Sequence, residues 1–150
     1  MGTDPSGGPE RAGGTVGLSA FLDTNVIIRH LTGDPPQQAR RATKFLAEAD
    51  ELLLTDLVTA EIVYVLESFY ELRRSRVAEL VRTVLGFGAI IVRDADLLFR
   101  AVEVYEEHRI DFAEAYLVAC AEREGIGAVA SFDRSIDRVK TVRRLEPGRN

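Results

Sequence analysis

A single cysteine, Cys120, stands in a chain of 150 residues. An internal disulfide is therefore excluded, and the apolar neighbours of this thiol favour a packed side chain over a nucleophile, as suits a reducing cytoplasm. Long apolar runs are lacking too. No stretch approaches the roughly 18 uninterrupted apolar residues of a membrane span. Residues 1–16, MGTDPSGGPERAGGTV, lack the apolar segment of a secretory signal and read as a flexible leader or a cloning remnant. Basic charge is in deficit: 19 Lys and Arg face 24 Asp and Glu, for a net charge of -5. This balance argues against a general nucleic-acid coat, because non-specific phosphate binding draws on lysine and arginine. Any handling of nucleic acid has to be local or helped by a cation.

What is present fits one compact domain. A hydrophobic fraction of 46% provides a core, expected over residues 17–146 with 147–150 as a flexible C-terminus. "LSAFL" (18–22) reads as a buried strand and "TNVIIRHLTG" as a helix closed by Gly33. A second helix follows Asp34, Pro35 and Pro36, and "ELLLTD" (51–56) is the second strand. Apolar residues at helical spacing predict a regular helix over 57–73 and another through Val77 to Leu85 after a break near Ser75. "AIIV" (89–92), a helix over 95–108, a helix over 111–124, "AVASF" (128–132) and an edge strand in "KTVRRL" (140–145) complete the pattern. Strands alternating with helices imply a parallel sheet covered on both faces, with the site beyond the carboxyl ends of the strands. Asp23 and Asp133 each follow such an end.

Two more acids sit in apolar company. On a regular helix Glu61 has Leu57, Val58, Tyr64 and Val65 as neighbours, whereas Glu67 and Glu71 read as ordinary solvated charges. Glu114 is the only charge within "FAEAYLVACA" (112–121), a helix that reads as buried nearly all round. Asp111 precedes it by three residues, on the same face at the positive end of the helix dipole. A buried carboxylate must be paired or neutralised, and two ionised ones about 4 Å apart repel by roughly 4 kcal/mol at an effective dielectric constant near 20. No lysine or histidine adjoins these acids in sequence. A divalent cation is an economical counter-charge, and oxygen ligands without a His/Cys pattern point to Mg²⁺ or Mn²⁺ over zinc.

Simpler roles stand beside these. Asp23 and Asp111 could each cap the helix that follows, and Glu61 and Glu114 could pair with arginines distant in sequence. Asp133 could be a turn residue and Asp137 a solvated charge. An aspartyl-phosphate enzyme would want a second aspartate two residues after Asp23, where Asn25 stands, and a receiver module would want a paired acid upstream of Asp23. Neither is present.

The stretches "FLDTNVII" (21–28), "TAEIVYVL" (59–66), "DFAEAYLVACA" (111–121) and "SFDRSIDRV" (131–139) together resemble the PIN-domain nucleases, specifically VapC-type toxins of bacterial toxin–antitoxin pairs. The resemblance implies a three-layer α/β/α sandwich around a parallel sheet, an acidic pocket for Mg²⁺ or Mn²⁺, and cleavage of single-stranded RNA. It implies Asp23 as the strand-end ligand, Glu61 as the second acid and Asp133 as the fourth, with Asn25 and Ser131 as polar supports. The family often has an aspartate where Glu114 stands, so Glu114 and Asp111 are both candidates for the third acid. A homodimer and a cognate VapB-type antitoxin, its tail in the acidic groove, are further implications. Arg29, Arg40, Arg41, Lys44, Arg73, Arg74 and Arg134 are candidates for guiding an RNA backbone, with solvated surface charge as the alternative for most. A PIN-like module that binds RNA or a partner without cutting is the competing reading.

Overall fold

A computed structural model describes residues 19–149, so the expected leader and the last residue, Asn150, lie outside the described residues. Three parallel strands form one ladder: β1 (Ser19–Phe21), β2 (Glu51–Leu53) and β3 (Ile90–Ile91), in the order β1-β2-β3. A second parallel ladder pairs β4 (Ala128–Ala130) with β5 (Arg143–Leu145). The expected parallel α/β sheet is thus present, divided among the described residues into two segments. Each strand is shorter than its apolar run. Leu22 and Leu54, just past β1 and β2, stay buried as part of the core.

Six α-helices cover these strands: α1 (Thr24–Thr32), α2 (Pro36–Glu48), α3 (Asp56–Ser68), α4 (Arg74–Leu85), α5 (Ala95–His108) and α6 (Phe112–Arg123). Local chemistry sets their ends. Asp23 precedes α1, and Gly33 closes it in the left-handed conformation with φ 71°. Pro36 opens α2, where its missing N–H costs nothing. Thr55 caps α3 by accepting the Val58 amide at 3.1 Å. A 3-10 helix over Arg134–Arg138 links the two strands of the second ladder.

Two expectations about helices change. The helix expected over 57–73 stops at Ser68, and the chain turns through Glu71, whose φ is 52°, before α4 begins at Arg74. The face of α3 that carries Glu61 points outward: Leu57 is 79% and Tyr64 66% exposed, while Thr59, Ile62, Val63 and Leu66 fill the core. Helical spacing correctly grouped these residues on one face but could not say which face turns inward. Nor is α6 buried all round, since Ala113 is exposed and Leu117 is 48% exposed. Its inner side is Phe112, Ala115, Val118, Ala119 and Ala121.

Candidate active site

At the end of β1 the buried Thr24 joins two acids. Asp23 accepts the Thr24 amide at 2.8 Å, so its capping role is real. The Thr24 hydroxyl donates to Glu61 Oε2 on α3 at 2.5 Å. Glu61 therefore has a hydroxyl partner and, among the described residues, no arginine, and it is exposed where the sequence placed it in apolar surroundings. Desolvation does not account for its position. Thr24 does: a residue 5% exposed engages Asp23 through its backbone amide and Glu61 through its hydroxyl.

Asp111 and Glu114 come from the start of α6. Asp111 occupies the N-cap position, but its side chain makes no capping hydrogen bond, which removes the simpler reading of that residue. Glu114 is half-buried and has no hydrogen-bond or ion-pair partner among the described residues. The turn before them is held from two sides. Arg74 donates to the carbonyls of Tyr105 at 2.8 Å and Ile110 at 2.7 Å, and Arg138 donates to those of His108 at 3.3 Å and Arg109 at 2.7 Å. Charged donors thus satisfy carbonyls that the end of α5 leaves without helical partners. The Arg74 guanidinium also lies 4.3 Å from the centroid of the Tyr105 ring. The Tyr105 hydroxyl donates in turn to Glu67, which is not the free solvated charge its sequence position suggested. Burial, followed by the Glu67 carboxylate, pushes the Tyr105 hydroxyl well above the usual phenol range.

Asp133 follows β4. Its amide donates to the Ser131 hydroxyl and its carboxylate accepts the Ser135 amide, both at 2.9 Å. Hydrogen bonds from the Ser135 side chain and backbone hold its carboxyl below the usual carboxylate range. The turn reading is therefore realised, and Ser131 supports it. Asp137, expected to be a solvated charge, forms a two-pronged pair with Arg144 at 3.0 and 3.2 Å, and that guanidinium lowers its carboxyl pKa.

Taken together, Thr24 links Asp23 to Glu61, Asp111 and Glu114 stand at the start of α6, and Asp133 is held by Ser131 and Ser135. Among the described residues no three His, Cys, Asp or Glu side chains lie together as a metal-holding group. The donors do not fit an all-protein cage. Their chemistry, all carboxylate oxygen with two acids gathered on Thr24, does fit a Mg²⁺-like ion that takes one or two carboxylates and keeps water or substrate phosphate in its other positions.

The candidate RNA-guiding residues divide. Arg74 is committed to main-chain carbonyls, Arg29 donates to Gln38 at 2.8 Å, and Lys44 lies 3.8 Å from Glu48. Arg40, Arg41, Arg73 and Arg134 make no hydrogen bond or ion pair among the described residues. Asn25 is exposed and lines a cavity of about 550 Å³ with Arg29, Gln38, Arg41 and Phe45. Thr24 is the residue that sequence reasoning missed. Its one signal was a polar side chain directly after Asp23, on a helix whose other buried residues are Ile27 and Ile28.

Among the described residues no helix is long and apolar enough to cross a membrane. No curated protein matches the sequence. The PIN domain profile matches residues 20–142, a span that includes all five acids. The chain belongs to the PIN domain family, whose members are in general nucleases.

Proposed function

We propose that the protein is a metal-dependent endoribonuclease that hydrolyses RNA phosphodiester bonds, and that it acts as the toxin of a type II toxin–antitoxin pair. The observation that carries the catalytic reading is Thr24, whose hydroxyl engages Glu61 and whose amide engages the strand-end Asp23, within a PIN domain. Asp23 and Glu61, with Asp111 or Glu114 from α6 and with Asp133, would hold Mg²⁺ or Mn²⁺, an ion that supplies charge neutralisation at a phosphate and a lowered pKa for bound water. The chain's own part is to keep those oxygens in place. The Thr24 hydroxyl engages Oε2 of Glu61 and its amide engages Oδ1 of Asp23, leaving the second oxygen of each carboxylate without a hydrogen bond among the described residues. Arg40, Arg41, Arg73 and Arg134 supply positive charge for the RNA backbone in a protein of net charge -5.

The toxin reading rests on the order of the four resembling stretches. A homodimer and a VapB-type antitoxin belong to it, and the exposed Leu57 and Tyr64 beside Glu61 support a surface that a partner covers. An arginine from the antitoxin tail would neutralise the acids. The single cysteine suits a cytoplasmic location.

One observation favours a second reading, a PIN-like module that binds RNA or a partner without cutting: no three metal-ligating side chains are grouped among the described residues. Incubating a mixed RNA pool with the purified protein in Mg²⁺ or Mn²⁺ separates the two. Cleavage lost both in EDTA and in Asp23→Asn is expected. Folded, antitoxin-free protein that cuts nothing in either metal would replace the nuclease with the binding module.

A further inference from the structure

A cavity of about 440 Å³ lies between the start of α4 and the end of α5, lined by Arg73, Arg74, Ser75, Glu106 and Arg109. Three guanidiniums share it with one carboxylate, and that carboxylate is already engaged by Arg82 at 2.8 Å. Arg74 contributes charge while its hydrogen bonds go to the carbonyls of Tyr105 and Ile110. Arg73 and Arg109 make no hydrogen bond or ion pair among the described residues. Like charges brought into one cavity repel unless an anion sits between them. The acidic chain gathers them there nonetheless, although it pairs Arg76, Arg82, Arg100, Arg123, Arg144 and Arg149 with carboxylates elsewhere.

Position gives this charge a use. Arg109 takes a left-handed conformation, φ 54°, at a helix end where glycine is the common choice, and its carbonyl is held by Arg138. Two residues later comes Asp111. A residue of the cavity lining thus belongs to the turn that leads into Asp111, one of the two candidates for the third acid.

We infer that this cavity is a phosphate subsite for the RNA backbone, receiving a phosphodiester close to the one presented to the acids. The inference rests on the nuclease reading for the identity of the polyanion. Guanidiniums suit the task because their planar forks hydrogen-bond phosphate oxygens in pairs, and the Ser75 hydroxyl is a further donor. Contacts of this kind fix register and add affinity without reading sequence.

The test is fluorescence anisotropy of labelled single-stranded RNA in Mg²⁺, with every protein also carrying Asp23→Asn so that the RNA survives the titration. Arg73→Gln and Arg109→Gln should each weaken binding about fivefold, alike for RNAs of different sequence. Each should lower the slope of log affinity against log salt by about 0.7, the value for one single-strand phosphate contact. Arg73→Lys should restore the slope, and the exposed Arg93→Gln should leave it unchanged. Wild-type slopes in both cavity variants, or an equal loss in Arg93→Gln, would overturn the subsite. Cleavage by the protein with Asp23 intact is scored separately, so a subsite that fails in an active nuclease is distinguishable from a protein that binds as expected and cuts nothing.

Discussion

Replacing Arg74 by methionine removes hydrogen bonds to two carbonyls, 2.8 and 2.7 Å long, and a guanidinium 4.3 Å from the Tyr105 ring centroid. A hydrogen bond from a charged donor contributes about 1.5 kcal/mol at the low end of its range. A guanidinium over an aromatic face adds about 0.5–1 kcal/mol. The sum is close to 4 kcal/mol for a fully buried group. Arg74 is half-buried, so water replaces part of what is lost and methionine retains part of the ring contact. About half the sum, ~2 kcal/mol, is the expected destabilisation. For a domain of this size it corresponds to a fall of about 6 °C in Tm. Urea unfolding followed by far-UV circular dichroism measures it, with an unchanged m-value showing that the denatured state is not the cause. Arg74→Lys keeps the charge and N–H donors but loses the planar guanidinium over the Tyr105 ring, and should fall between wild type and methionine. A loss below about 0.5 kcal/mol in Arg74→Met would refute the clamp.

Further outcomes follow from the same contacts. Thr24→Val should leave the fold intact and, in the RNA cleavage assay, lower the rate about tenfold, equivalent to ~1.4 kcal/mol of positioning; an unchanged rate would remove Thr24 from the site. Tyr105→Phe should cost about 1 kcal/mol in urea unfolding, because it leaves the Glu67 carboxylate without its hydroxyl donor; an unshifted midpoint would contradict that. The Arg100 guanidinium holds the Glu122 carboxyl below its ordinary value of 4.5. Its contribution to stability is thus fully present above pH 4.5 and fades as the pH falls through the lower folded-state pKa. Glu122→Gln should flatten the decline in urea midpoint below that pH, and an identical acid limb would show that the pair is not responsible.

Much of the fold was legible because its signals are local. Gly33 closes α1 and Pro36 opens α2 where turn chemistry put them, and α5 spans 95–108 as its spacing required. The third helix was misjudged because Phe69 and Leu72 continue its apolar spacing beyond the real end at Ser68. Spacing likewise placed Leu57, Glu61 and Tyr64 together without revealing that they face solvent. Site residues were visible as acid types at strand ends and helix starts. Their partners were not, since the hydroxyl that holds Glu61 is 37 residues away in sequence and the carbonyl held by Arg74 is 36 away. Such pairings depend on tertiary packing, to which a linear pattern carries no pointer.

The split of the sheet into two ladders has a mechanical side. Asp23 and Glu61 ride on β1, α1 and α3, which are bonded through Thr24 and the β1–β2 ladder. Asp111, Glu114 and Asp133 ride on α6 and the β4–β5 ladder, which pack on each other. Among the described residues no strand pairing crosses from one group to the other, and the side-chain tie between α3 and α6 is the Tyr116 hydroxyl on Asp56, at 2.5 Å. One apolar core, running from Leu22, Ile27 and Ile62 to Ile110, Ala115 and Val129, joins the two groups. The placement of one set of acids relative to the other is therefore set by side-chain packing, α3 on α6 included, and not by backbone hydrogen bonding between strands.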